Sequence, residues 1–272
     1  METFQHAGLS FDVREGGPAA GEPVVLLHGF PQDSTSWSGV EPVLHQAGLR
    51  TLAPDQRGYS PGARPRGRRA YRVGALADDV LALLDQAGLS SAHIVGHDWG
   101  GVVAWGLAGR NPDRVRSVTV LSTPHPAALQ RSFRASTQAI TSLYMLFFQL
   151  PAIPEAVLAR NLEASLRKTG LPPGYAARDA ERMREPGALT AALNWYRAMP
   201  WTLRTPAHRS SVPTTYIWGR RDNFLGRYAA EATADYVTGP YRFVELGGGH
   251  WLPQTHPAQI AELIRERVHS TG

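Results

Sequence analysis

Cysteine is absent from all 272 residues, which excludes disulfides and thiolate metal sites. Lysine is nearly absent too: among 28 basic residues Lys168 is the only one. The arginines are scattered and offset by 23 acids, so the formal charge of +5 reads as solvated faces rather than a nucleic-acid-binding stripe. The one dense stretch, Arg64 to Arg69, is broken by proline and glycine and reads as a surface loop. No apolar run is long enough to span a bilayer; the longest, around Leu143 to Leu150, ends at Pro151. Met1 to Gln5 lack the basic and apolar regions of a signal peptide, which gives a cytoplasmic expectation. There is no dinucleotide fingerprint, phosphate-binding loop, internal repeat or metal-ligand spacing of histidines. No cofactor, no metal, no nucleic acid and no membrane is therefore expected, and the chain is expected as a monomer or homodimer.

What is present centres on residues 92 to 101, Ala-His-Ile-Val-Gly-His-Asp-Trp-Gly-Gly. A partly β-branched apolar run ends in Gly96-His97-Asp98-Trp99-Gly100, and a helical pattern, Val102 to Arg110, follows. Glycine, any residue, nucleophile, any residue, glycine is the pattern of a nucleophile elbow, with Asp98 where lipases carry serine. The aspartate narrows the chemistry. A carboxylate attacking an ester carbonyl gives a mixed anhydride, a poor route to hydrolysis. A carboxylate attacking the sp3 carbon of an epoxide or alkyl halide gives an ordinary ester, which water cleaves to regenerate the acid. Asp98 as a plain helix N-cap is the simpler reading, and the completeness of the elbow outweighs it.

Around this motif the chain alternates strand and helix patterns. Residues 3 to 15 suggest a hairpin about Ala7-Gly8. Val24 to Leu27 is a buried strand running into His28-Gly29-Phe30-Pro31, Ser36 to Ala47 reads as a helix, and Arg50 to Ala53 as a strand entering a loop with Asp55 and Arg57. That pair is assigned to bracing the loops rather than to catalysis. Val73 to Ala87 has helical spacing and stops at Gly88. Strand patterns return at Val115 to Leu121, Thr214 to Trp218 and Arg242 to Leu246, and a helix closes the chain at Pro257 to Val268. Such alternation predicts an α/β fold with a mostly parallel central sheet. Residues 125 to 210 break it with helical patterns and many prolines, Pro206 among them. They read as a helical cap inserted into a core made of 1–124 and 211–272.

Asp98, Asp222 and His250 each follow a predicted strand, in the order nucleophile, acid, base. His250 would take a proton from water and Asp222 would hold its ring. The remaining histidines lack this setting and read as surface or structural residues. At these residues the sequence resembles the soluble epoxide hydrolase branch of the α/β-hydrolase superfamily. The resemblance covers nearly the whole chain: His28 to Pro31, Gly96 to Gly101, Asp222, His250 and the insertion. It implies an α/β-hydrolase fold that adds water to an epoxide, giving a vicinal diol through an Asp98 ester. It also implies two cap tyrosines that hydrogen-bond the epoxide oxygen, carried here onto Tyr144 and Tyr196. The Phe30 and Trp99 N–H groups take the oxyanion-hole positions. His28, Pro31, Trp99, Phe148, Trp195 and Trp251 are expected against the substrate, itself expected to be an apolar or aromatic epoxide. A phenol with a pKa near ~10 stays protonated at neutral pH and can donate to a nascent alkoxide.

Two rival readings remain open at this level. Haloalkane dehalogenases share the chemistry, and a halide wants N–H donors, which Trp99 with Trp195 or Trp201 could supply. A ligand-binding receptor on a retired hydrolase fold could also keep the triad residues.

Overall fold

The computed structural model describes residues 1–204 and 207–271; Pro206 of the proline-rich insertion lies outside the described residues. Eight strands form one sheet: β1 (Thr3–His6), β2 (Leu9–Gly16), β3 (Glu22–Leu27), β4 (Leu49–Pro54), β5 (Ala92–His97), β6 (Val115–Leu121), β7 (Thr214–Gly219) and β8 (Tyr241–Leu246). Their spatial order is β1-β2-β4-β3-β5-β6-β7-β8. β1 and β2 pair antiparallel, as does β2 with β4, and every later pairing is parallel. The opening hairpin turns at Ala7-Gly8, both at positive φ.

The central strands carry unbroken apolar runs because both faces of the sheet are covered, as parallel sheets require. Val24 and Leu26 of β3 pack on one side with the closing helix Pro257–His269. Val25 and Leu27 pack on the other with the helices Val73–Gln86 and Trp99–Arg110. Two cores on opposite faces leave the carboxyl edge of the sheet free for a site, the usual place in this architecture.

The expected helix from Ser36 to Ala47 is corrected by the structure. It is a 3₁₀ turn, Ser34–Trp37, capped by the Asp33 side chain, and a separate helix, Glu41–Gln46. Gly39 weakens helix continuation, and Pro42, without an N–H, fits only the first turn of a new helix. Between β6 and β7 the described residues form seven helices, from Pro126–Ala135 to Met199–Thr202, and no strand beyond a single bridge at Ser210. Four of the prolines there, 126, 154, 173 and 200, sit in first turns, where a missing N–H costs no hydrogen bond.

This helical block is tied to the core by side chains the sequence reading assigned to bracing. Arg182 reaches Asp55, which also accepts the Ser34 N–H. Arg57 does not pair with Asp55; its guanidinium makes two bonds to buried Asp79. Of the Arg64–Arg69 loop, Arg64 is largely covered and pairs with Glu185.

Candidate active site

The elbow brings Asp98 to the carboxyl end of β5 with φ 51° and ψ −122°, a conformation strained for any residue but glycine. The turn is possible because the residues flanking it carry no Cβ. A Cβ on Gly96 would lie 2.3 Å from the Gly100 carbonyl oxygen, and one on Gly100 would lie 2.2 Å from that of Leu27. The Asp98 carbonyl holds the turn by accepting the Gly101 N–H and the Thr123 hydroxyl.

Three further strand ends converge on it. The loop after β3 points the Phe30 N–H at Asp98 Oδ1, 2.8 Å away. After β7, Asp222 is fixed by the Phe224 and Leu225 N–H groups donating to its Oδ1. Its Oδ2 lies 2.9 Å from Nδ1 of His250, which stands beyond β8. Nε2 of that ring is 3.5 Å from Asp98 Oδ2. The imidazole is boxed by Phe224 and Trp251, each edge-on.

Burial alone would push His250 down, but the Asp222 charge and hydrogen bond, with Asp98 beyond, raise it to about 10. Burial would raise Asp98, yet the His250 hydrogen bond and charge, with help from the Trp99 N–H, hold it below the ordinary value. At neutral pH the two form a carboxylate–imidazolium pair. A bare carboxylate beside two N–H groups is an arrangement that can attack carbon, and an ester formed on it would present to the same N–H groups a carbonyl open to water.

Tyr144 lines a cleft of about 100 Å³ over Asp98, together with Trp99. Burial, then the Asp98 and Asp222 charges, push its hydroxyl far above the ordinary range. Tyr196 is 3% exposed, edge-on to Trp99 and Phe30 with centroids 5.0 and 5.3 Å away, and about 6.1 Å from the Tyr144 ring. Burial, then Tyr144 and Asp98, raise its hydroxyl well above normal. Both phenols therefore keep their protons beside the carboxylate.

Of the six side chains expected against substrate, Trp99 alone lines this cleft. His28 is corrected: fully buried, its ring accepts the Gln56 N–H and bonds the Gly29 carbonyl, so it braces the loop. Pro31 is buried in that loop. Trp195 packs behind Trp99 and donates Nε1 to the Arg57 carbonyl at 2.7 Å. Trp251 backs His250 and donates to Thr169 Oγ1. Phe148 is wedged among Phe30, Tyr144 and Tyr196. The cleft wall is instead made by Leu129, Phe133, Met145, Met199, Phe224 and Leu225. Leu129, Phe133, Met145 and Met199 come from the helical block, where amphipathicity marks them only as apolar, and Phe224 and Leu225 come from the Asp222 loop. Trp201 lines a separate groove with Arg72 and Arg110. Among the described residues no group of three His, Cys, Asp or Glu could hold a metal ion, and no helix is long and apolar enough to cross a membrane.

A strained elbow on a mostly parallel sheet, with acid and base loops from later strand ends, is the design of one superfamily. The chain belongs to it: the alpha/beta hydrolase fold family matches residues 22–257. Within it, relatives named as epoxide hydrolases support the epoxide hydrolase branch. The AB hydrolase superfamily protein YfhM of Bacillus subtilis is 36% identical, covering 95% of this chain and 94% of that one. Epoxide hydrolase A of Mycobacterium tuberculosis is 34% identical over the same shares. The crystal structure of Epoxide Hydrolase A from Mycobacterium thermoresistibile superposes with a TM-score of 0.85 at 28% identity, covering 98% and 97%.

Proposed function

We propose that the protein hydrolyses epoxides to vicinal diols, with the sheet (1–124 and 211–272) as the catalytic body and 125–210 as a cap. Asp98 attacks a ring carbon, forming a C–O ester bond as the ring C–O bond breaks. The freed oxygen takes a proton from Tyr144 or Tyr196. Water then adds to the ester carbonyl, its proton going to His250 Nε2. The Phe30 and Trp99 N–H groups stabilise the oxyanion; as it collapses the acyl C–O bond breaks, the departing diol oxygen takes the second water proton, and the carboxylate is restored beside the His250 imidazolium.

The proton balance follows from the ion pair. Esterification removes the Asp98 charge that helps hold the proton on His250. The imidazolium sheds it, which restocks the phenol that donated and leaves the ring free to act as base. No cofactor takes part in these steps.

The observation that carries this reading is a protonated phenol, Tyr144, over the Asp98 carboxylate in an apolar cleft, with the protonated Tyr196 packed against Trp99 beside it. It fits a leaving oxygen that stays attached and needs a proton. The kinship with epoxide hydrolases points the same way. The dehalogenase alternative loses support because the Trp195 N–H already serves the Arg57 carbonyl and Trp201 lies in another groove. An apolar or aromatic epoxide suits the wall of Leu129, Phe133 and Phe224.

A matched turnover assay tests it: styrene oxide against a bromoalkane, with Asp98→Asn as control. Diol formation that vanishes in the variant supports the proposal. Halide release without diol would transfer the protein to the dehalogenases, and silence on both would favour a binding role.

A further inference from the structure

His97 precedes the nucleophile and was assigned no function from sequence, yet it touches the base. It is 1% exposed, and its ring centroid lies 5.0 Å from that of His250. Its Nε2 is 2.9 Å from the His250 main-chain oxygen. A carbonyl only accepts, so Nε2 carries the hydrogen and Nδ1 is bare. Nδ1 is buried with no hydrogen-bond partner. The same carbonyl accepts the Ser122 hydroxyl at 2.8 Å and the Leu252 N–H at 2.9 Å. Three donors from three segments thus meet on the main chain of one catalytic residue.

A residue filling space there would be expected to carry no polar atom, because an unpaired buried acceptor is costly. Burial and the neighbouring His250 push His97 down to about 4, so it adds no second cation beside the base. Charges facing it from packed elements are those of His250, Asp98 and Asp222.

We propose that His97, with Ser122, is a positioning residue for the base: the Nε2–H tautomer braces the main chain and the ring of His250 and keeps its Nε2 aligned for the water-attack step. The inference rests on the epoxide-hydrolase reading. It assigns His97 to the second half-reaction, since alkylation uses the carboxylate and the phenols but not the base.

The test is single-turnover kinetics with styrene oxide, resolving formation and hydrolysis of the ester, on His97→Phe, His97→Gln and Ser122→Ala. For His97→Phe, ester formation is expected within about threefold of wild type while hydrolysis slows on the order of 10- to 100-fold, the cost of a misplaced catalytic group. His97→Gln, which restores a donor, should recover part of the loss. Ser122→Ala, which removes a hydroxyl bonded to the His250 carbonyl, should slow hydrolysis in the same direction, so a failure of His97→Phe to fold leaves a decision in hand. Equal slowing of both steps, or wild-type hydrolysis in the folded variants, overturns the role of His97. Absence of any ester in the wild type overturns it together with the proposed function, which distinguishes the two failures.

Discussion

Gly29 to alanine is a one-carbon change whose effect is worked from the coordinates. A Cβ there would lie 2.4 Å from Asp98 Cβ and 2.5 Å from its Oδ1. Ordinary carbon contacts begin near ~3.5 Å, so nucleophile and loop must part by roughly 1 Å. The Phe30 N–H bond to Oδ1, 2.8 Å long, cannot survive that movement unchanged. A displacement of about 1 Å at a reacting group costs on the order of 10²-fold in rate. That is about 2.7 kcal/mol of transition-state free energy. Gly29 is not among the positive-φ residues, so alanine brings no backbone penalty and the loss is steric. The assay is diol formation from styrene oxide beside a thermal melt, with Gly247→Ala, whose Cβ meets nothing within 4 Å, as control. Wild-type turnover by Gly29→Ala would refute the placement of the nucleophile against this loop.

Other consequences are equally direct. Tyr144→Phe combined with Tyr196→Phe should abolish epoxide opening with the melt unchanged, and retained turnover would remove the phenols from the mechanism. His250 is raised from 6.5 to about 10 on folding. Its contribution to stability is thus complete below pH 6.5 and lost as the pH climbs through about 10. Melting temperature should fall across that window in the wild type and fall less in His250→Gln; parallel curves would contradict the ion pair. Arg57→Met strands buried Asp79, whose two oxygens it binds, and should destabilise the fold by about 3 kcal/mol in urea unfolding. A loss below 1 kcal/mol would show that His6, which also contacts Asp79, suffices.

The chain order of strands, the elbow and the positions of Asp98, Asp222 and His250 after β5, β7 and β8 were legible because each is a local signal. Glycines, a turn and a change of hydrophobic period sit within a few residues of one another. What the sequence hid is what depends on distant segments meeting. His28 and Trp195 sit in conspicuous motifs, and the structure spends their ring nitrogens on main-chain groups of the loop at 56–57. The cleft wall of Met145, Met199 and Phe224 joins three segments far apart in the chain. The break at 38–40 follows from Gly39 and Pro42, both local signals. His97 carried no signal, because a histidine inside a strand reads as filler until its partner, more than 150 residues later, is in view.

The central claim is the ester on Asp98, and one turnover in heavy-oxygen water tests it. With enzyme in excess over styrene oxide, the diol oxygen supplied in the first cycle comes from the carboxylate. The account therefore predicts label in the peptide containing Asp98 and unlabelled diol. Label in the diol with none in that peptide would mean that water attacks the epoxide directly, and the account would be wrong.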